Sequence, residues 1–411
     1  MNRPLRILWL KTGPLHPLDT GGKLRTYHLL RELNRQHEVT YLALCEPDTP
    51  PEIKQQAAEY CRHALWALWS APRKGSFRFF ADLGVNLFSS LPYVLARYRS
   101  ENMRLEIVEE DDPARHDVMV CDFLTPAVNL FPMSRERRRP QLKVLLFQHN
   151  VEAQIWERMY QQQRGALRRW YFHLQWQRLR TWERRLCAMC DGVAAVSETD
   201  ATRFREDYGL TNVLGSVPTG VDVDYFGQTR LHPVPGRVAF VGSMDWMPNV
   251  DAVQWWAEAI WPLLKQKLAK ASFSIIGRNP PPSVIALAER DSSIHVTGTV
   301  PDVRPHLGQA QVVVVPLRAG GGTRIKIYEA MAAGLPVVST RVGAEGLPLK
   351  DGETILLADT PEAIAEAVGG LLADSERRAR LAGAGQQWVR QHAGWGQAAQ
   401  TLAGYAAQLI A

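Results

Sequence analysis

Several things are scarce or missing in this 411-residue chain. No segment approaches the ~18–20 apolar residues of a membrane-crossing helix. The start, "MNRPLRILWLKTG", holds an apolar run too short for a secretory leader and reads as a first β-strand. Cysteine is rare: five residues, an odd number without framework spacing, which points to reduced thiols and a cytosolic setting. Cys187 and Cys190 in "CAMC" have zinc-knuckle or redox spacing, but no second pair completes a zinc site, so buried structural thiols are expected. There is no GxGxxG, which disfavours a nicotinamide or flavin dinucleotide, and no GxxxxGK[ST], which disfavours a P-loop kinase or ATPase. No RRM, KH or helix-turn-helix pattern supports nucleic acid as a partner.

What is present is globular: 46% hydrophobic and 22% charged residues, with a net charge of +6 that favours anionic partners. Short β-rich runs alternate with helical periodicity, which predicts an α/β chain with parallel sheets. The first half offers "RILWL", "EVTYLAL", "DVMVCD", "KVLLFQ", "GVAAVS" and "VLGSVP". The second offers "RVAFVG", "SFSIIG", "IHVTG", "VVVVPL", "PVVST" and "TILLA". Each half therefore reads as its own doubly wound, Rossmann-like sheet. The Gly- and Pro-rich "GVDVDYFGQTRLHPVPGR" marks the seam. The expected division is 1–228, 229–390, and a C-terminal helix over 391–411 that packs back on the first domain. Two such halves predict a central cleft, with ligand-binding loops at the carboxyl ends of the strands.

Three stretches fall at such ends. In "QVVVVPLRAGGGTRIKIYEAMAAG" a strand runs into a glycine loop and then a helix that closes near Gly334. Glycines let backbone N–H groups approach a ligand, and a helix N-terminus attracts anions. Arg324 and Lys326 in the first turn oppose the helix dipole, a cost that makes sense beneath a diphosphate. Glu329 has two readings, a partner for Lys326 or an acceptor for vicinal ribose hydroxyls. A plain glycine turn with solvated cations is the alternative for the whole stretch. Gly21 and Gly22 open a second helix after the first strand, suited to phosphate or a sugar ring or merely to a turn. His149, just past "KVLLFQ", reads either as a structural histidine or as a group that holds a hydroxyl or moves a proton.

Taken in order, "FQHN", "DGVAAVSETDATRF", "SVPTGVDVDYF", "AFVGSMDWMPNVDAV", "FSIIG", "VTGTVPDVRPHLGQAQVVVVPL" and "IYEAMAAGLPVVST" resemble the retaining glycosyltransferases of family 4, across nearly the whole chain. The resemblance implies a GT-B fold and is nearest to the branch that builds bacterial surface or exported polysaccharides. It implies that Glu329, the second glutamate of a Glu-x7-Glu motif, binds the donor ribose. It implies that His149 contacts the transferred sugar and that Gly21 and Gly22 cover the donor diphosphate. Gly298 and Val300 of "GTVPDV" fall where the nucleobase packs, and Gly242 and Ser243 where the donor phosphates lie. Two departures stand out. Gly321 occupies the position of the first motif glutamate, and the basic pair expected after "FVG" is missing, Ser243 standing there without a neighbouring Lys or Arg. Arg324 and Lys326 are therefore expected to supply the phosphate charge beside Gly321, Gly322 and Thr323.

The expected reaction is retaining transfer from a UDP- or GDP-sugar to a glycan or lipid-linked hydroxyl, without a cofactor or metal. Negative charge growing on the β-phosphate would be met by Arg324, Lys326 and loop amides. With no carboxylate standing out as a nucleophile, a front-face route is expected. The rival reading is a nucleotide-sugar-binding paralogue that serves as a partner subunit. A third, an epimerase or a pyridoxal-phosphate-dependent phosphorylase, lacks its residues. Residues 156–185 mix Arg with Trp, Tyr and Phe, reading either as a core helix or as a face toward anionic membrane. "RERRR" at 135–139 reads as a solvated loop. The expected location is the cytoplasm, at the inner face of the membrane.

Overall fold

The computed structural model describes residues 3–18, 20–73, 75–130, 140–163, 165–244, 246–319 and 324–411. The chain forms two units, residues 1–218 with 398–411, and residues 219–397.

Among the described residues, the first unit carries seven strands: β1 (Arg6–Lys11), β2 (Glu38–Cys45), β3 (His63–Leu68), β4 (Val118–Asp122), β5 (Lys143–Gln148), β6 (Gly192–Ala195) and β7 (Val213–Ser216). Their order is β3-β2-β1-β4-β5-β6-β7, and every pairing is parallel. β1 and β4 are buried almost throughout, which is why they read as continuous apolar runs with no alternation. β3 was not expected. It is an edge strand with a largely half-exposed pattern, so its apolar content carries no clear period.

The second unit carries β8 (Arg237–Val241), β9 (Ser272–Ile276), β10 (Ile294–Val296), β11 (Val312–Val315), β12 (Val337–Ser339) and β13 (Leu356–Leu357). They are ordered β10-β9-β8-β11-β12-β13, again all parallel. In each sheet the strand order reverses once, between β1 and β4 and between β8 and β11. Ligands of open parallel sheets bind beyond the strand ends at such a reversal.

The break between the units, 218/219, falls at the start of the Gly/Pro-rich segment and ten residues before the expected boundary at 228/229. Val221 and Phe226 are buried in the second core, and the Val221 N–H donates to Ala393 O at 2.8 Å. The last helix, Trp395–Ile410, joins the first unit from residue 398 onward. Its Tyr405 hydroxyl donates to Ser216 O at 3.2 Å, and Leu409 fills the space that a side chain on Gly192 would need. All five cysteines are buried and free.

Candidate functional site

In the first unit the reversal point places the carboxyl ends of β1 and β4 side by side. β1 ends in Lys11 and β4 in Asp122, which is fully buried. An isolated carboxylate there would be costly, and four groups compensate it. Asp122 Oδ2 accepts from Lys11 Nζ at 2.7 Å, Thr26 Oγ1 at 2.6 Å and Trp9 Nε1 at 3.1 Å. Its other oxygen, Oδ1, lies 2.7 Å from His149 Nε2. Burial alone would raise the Asp122 pKa, but the charge of Lys11 and the close contacts of Lys11 and His149 with the carboxylate hold it below the usual carboxylate range. Burial likewise pushes Lys11 down, against the pull of Asp122.

His149 is 3% exposed. Its ring lies 3.9 Å from Phe123 and 4.7 Å from Phe147, centroid to centroid. Burial takes its pKa down to about 4 in spite of Asp122, so the imidazole is neutral at pH 7. A neutral ring whose Nε2 faces a carboxylate keeps its proton on that nitrogen, leaving Nδ1 as an acceptor. Phe123 holds φ +80 and ψ 164, a conformation usually reserved for glycine, and such strain is typical of functional sites. Gly22 lies opposite it, where a Cβ would come within 3.3 Å of the Phe123 ring, a tight contact. Thus Gly22, Phe123, His149 and Asp122 form one cluster. Gly21, one residue away, opens the helix Gly21–Leu33 that carries Thr26.

The segment after His149 is fixed by a second buried acid. Glu183 accepts from the Glu152 and Ala153 N–H groups at 2.8 and 3.1 Å, capping the helix Glu152–Gln162. It also accepts from the Tyr208 hydroxyl at 2.6 Å. Burial outweighs these bonds and lifts its pKa to about 8.

In the second unit the reversal point brings together Gly242, Ser243, Asn249 and Lys326. Lys326, in the first turn of the helix Ile325–Ala332, donates from Nζ to Asn249 Oδ1 at 2.6 Å, and Asn249 Nδ2 donates to Ser243 O at 2.7 Å. A Cβ on Gly242 would lie 2.7 Å from both Lys326 Nζ and Asn249 Nδ2. Burial lowers Lys326 to about 7 and raises Glu329, one turn on, to about 7, each opposing the other's shift. Arg324 caps this helix, but its guanidinium turns away and is buried, with Nη2 donating to Val342 O at 2.9 Å and lying 3.9 Å from Glu345. Its positive charge adds to the lowering of the Lys326 pKa.

A cation does stand beside Ser243, although none neighbours it in sequence. Arg278, just beyond β9, donates from Nε to Ser243 Oγ at 2.8 Å, and the Met244 N–H donates to Arg278 O at 2.9 Å. Gly298 takes φ +68 after β10, and half-buried Val300 packs on Ala239 and Ile276. The expectations for Gly321, Gly322, Thr323 and the stretch 135–139 lie outside the described residues.

Lys11, Asp122, Glu183, Asn249 and Arg278 were not singled out from sequence. The only available signal was their position at strand ends or inside apolar helical faces. Segment 156–185 forms parts of two helices, Glu152–Gln162 and Ala166–Met189. Their aromatics mostly meet one another, Tyr160 stacking on Trp176 and Trp156 lying 5.6 Å from Phe172. Among the described residues, no helix is long and apolar enough to cross a membrane, and no three His, Cys, Asp or Glu side chains gather as a metal would need.

Residues 20–225 match the family described as Glycosyltransferase Family 4, and residues 235–374 match Glycosyl transferases group 1. A GDP-mannose-dependent alpha-(1-6)-phosphatidylinositol monomannoside mannosyltransferase of Mycolicibacterium smegmatis is 28% identical over 241 residues, 53% of this chain and 62% of that protein. The chain thus spans about three fifths of the length of the first curated relatives it matches. An uncharacterized 44.6 kDa protein in the cps region of Klebsiella pneumoniae is 18% identical over 367 residues, 86% of this chain and 87% of the other. Among solved structures, a glycosyltransferase from Rickettsia africae ESF-5 has a TM-score of 0.68 at 13% identity, covering 100% of this chain and 99% of its own. Anabaena HepE, solved with UDP and glucose, has a TM-score of 0.64 at 13% identity, covering 97% and 98%.

Proposed function

The chain belongs to glycosyltransferase family 4 and has the two parallel-sheet domains of the GT-B fold, and from that premise we propose that it transfers a sugar, with retention, from a nucleotide-diphosphate sugar to a hydroxyl acceptor. The observation that carries this reading is the cation-rich end of the second sheet. There Lys326 and Arg278 flank Gly242 and Ser243 at the strand-order reversal. A diphosphate needs positive charge and close backbone approach, and both are available there.

The proposed steps follow from charge. As the bond from the anomeric carbon to the phosphate oxygen breaks, negative charge develops on the β-phosphate, and Lys326 and Arg278 stabilise it. Arg324 acts from its buried position by holding the 342–345 turn against the helix start. Glu329 accepts from the ribose hydroxyls. The departing phosphate takes the acceptor's proton on the same face, which preserves the anomeric configuration. In the first unit, neutral His149 offers Nδ1 to a sugar hydroxyl.

The donor is a GDP- or UDP-sugar. The first is supported by the name of the mycobacterial relative and the second by the nucleotide seen in HepE. The acceptor is a glycan or lipid-linked glycan of a surface polysaccharide, a reading that the cps-region relative supports. The test is a thermal-shift screen of nucleotide sugars, including GDP-mannose and UDP-glucose, followed by turnover with the best donor. Stabilisation by one donor, lost in Lys326→Ala, is the expected result. Stabilisation without any turnover would instead mark a binding-only paralogue. No response to any nucleotide sugar would end the proposal.

A further inference from the structure

The helix Phe77–Asn86 presents large apolar side chains to the outside as well as to its neighbours. Ser76 caps it, its Oγ accepting from Phe79 N at 3.1 Å. On the inner side Phe79 lies 5.8 Å from Tyr93, and the C-terminal end is tied down by polar bonds. Asn86 is buried, donating from Nδ2 to Leu91 O and accepting from Gln175 Nε2, while Arg178 donates to Asn86 O and Leu87 O. The outer side is apolar: Phe77 is 89% exposed, Phe80 61%, Val85 74%, and Phe88, just beyond the helix, 94%. Exposed Ala81 and Gly84 complete the spacing 77, 80/81, 84/85, 88, which is one stripe of a helix. Single exposed apolar residues are ordinary, but three phenylalanines on one stripe are not.

The partner helix Ala166–Met189 adds to this. Its first turns expose Leu167 and Trp170, with Arg168 and Arg169 exposed between them. The charge is one-sided as well. Residues 69–100 and 163–185 hold twelve Lys and Arg against two acids, Asp82 and Glu183, and Glu183 is fully buried. That surplus of ten exceeds the net +6 of the whole chain, so everything else is net −4. Arg73 and Arg78 are exposed beside the apolar stripe.

We propose that this face docks on an anionic lipid bilayer, with Phe77, Phe80, Val85 and Phe88 entering the interfacial zone and Arg73, Arg78, Arg168 and Arg169 meeting lipid phosphates. The occupant follows from the combination of features. Phenylalanine and tryptophan settle at the headgroup boundary, and flanking arginines draw the helix to negative headgroups. The inference rests on the proposed function only in that a lipid-linked acceptor gives such docking a purpose; vesicle binding itself is independent of turnover.

The experiment is co-sedimentation of the full chain with phosphatidylcholine vesicles, with and without phosphatidylglycerol. Binding to the anionic vesicles, weakened by high salt, is expected. The variant Phe77→Ser/Phe80→Ser/Phe88→Ser should lose about tenfold or more of that partitioning. Replacing Arg73, Arg78, Arg168 and Arg169 by Gln should erase the preference for phosphatidylglycerol. The melting temperature and donor-induced thermal shift should stay at parental values in both, and a failed donor shift would count against the proposed function, not against this face. Phe88→Ser alone, at the most exposed position, serves if the triple variant does not fold. The proposal is overturned if the parent ignores vesicles, if the phenylalanine variants bind as well as the parent, or if the parent instead self-associates through this face.

Discussion

His149 Nε2 sits 2.7 Å from Asp122 Oδ1 while Lys11 Nζ holds the other oxygen of the same carboxylate at 2.7 Å, so one buried acid serves a cation and an imidazole together. Asp122→Asn should leave the Lys11 charge uncompensated and cost about 3–5 kcal/mol in chemical denaturation. The paired change Lys11→Met/Asp122→Leu should be milder than Asp122→Asn, since it removes both charges. A double variant no more stable than the single one would show that Lys11 and Asp122 are not coupled.

Burial of His149 sets an acid limit on stability. His149 titrates near 4 when folded and near its ordinary ~6.5 when unfolded, so the unfolded chain binds more protons between these values. Its contribution is whole above about 6.5 and is lost as the pH falls toward 4. Melting temperatures of the parent and His149→Gln should therefore converge on acidification. Parallel curves across that window would contradict the depressed value.

Lys326 predicts a pH effect on donor binding. Burial brings its pKa to about 7, so the free protein loses this positive charge as the pH rises through neutrality. Calorimetric affinity for UDP or GDP should weaken by roughly tenfold from pH 6 to pH 9, the equivalent of about one pKa unit of interaction. Lys326→Arg, which stays charged, should flatten the profile. An equally steep profile in that variant would assign the effect to another group.

Two neighbouring glycines should behave differently. A Cβ on Gly277 would collide with the Gly242 carbonyl oxygen, a backbone atom, so Gly277→Ala should cost about 1–3 kcal/mol of stability. A Cβ on Gly242 meets side-chain atoms of Lys326 and Asn249 instead of backbone, so its cost falls on the Lys326–Asn249 bond. Gly242→Ala should keep most of its melting temperature and lose nucleotide affinity. Equal losses of stability in both would refute the distinction.

Glu183→Ala should strand the Tyr208 hydroxyl and two helix N–H groups, costing about 3 kcal/mol. Activity should fall along with stability, because the segment capped by Glu183 directly follows His149. A variant with parental stability would mean that water replaces the carboxylate.

Arg278 shows what sequence reading leaves out. Thirty-five positions separate it from Ser243, and nothing in "FSIIGRN" marks it as that residue's neighbour. The pairing of β8 with β9 is what brings the two together. Asp122 was visible as the last residue of a strand, yet its four partners come from β1, the helix Gly21–Leu33 and the turn after β5. By contrast, the strands of both sheets other than β3 were legible, the central ones because a strand buried on both faces must be apolar throughout, and the edge strands β7, β10 and β13 because short β-branched or apolar runs there are bounded by turns.

Local chemistry along the chain was therefore enough to specify the alternation of strands and helices, the two parallel sheets, and the glycine loops at strand ends. Those features depend on residues close together in sequence. Tertiary structure alone decided that Arg324 turns inward to Val342 while Lys326 meets Asn249, that His149 shares Asp122 with Lys11, and that three phenylalanines face outward. Burial and charge pairing depend on which distant strands and helices become neighbours, and no local periodicity encodes that.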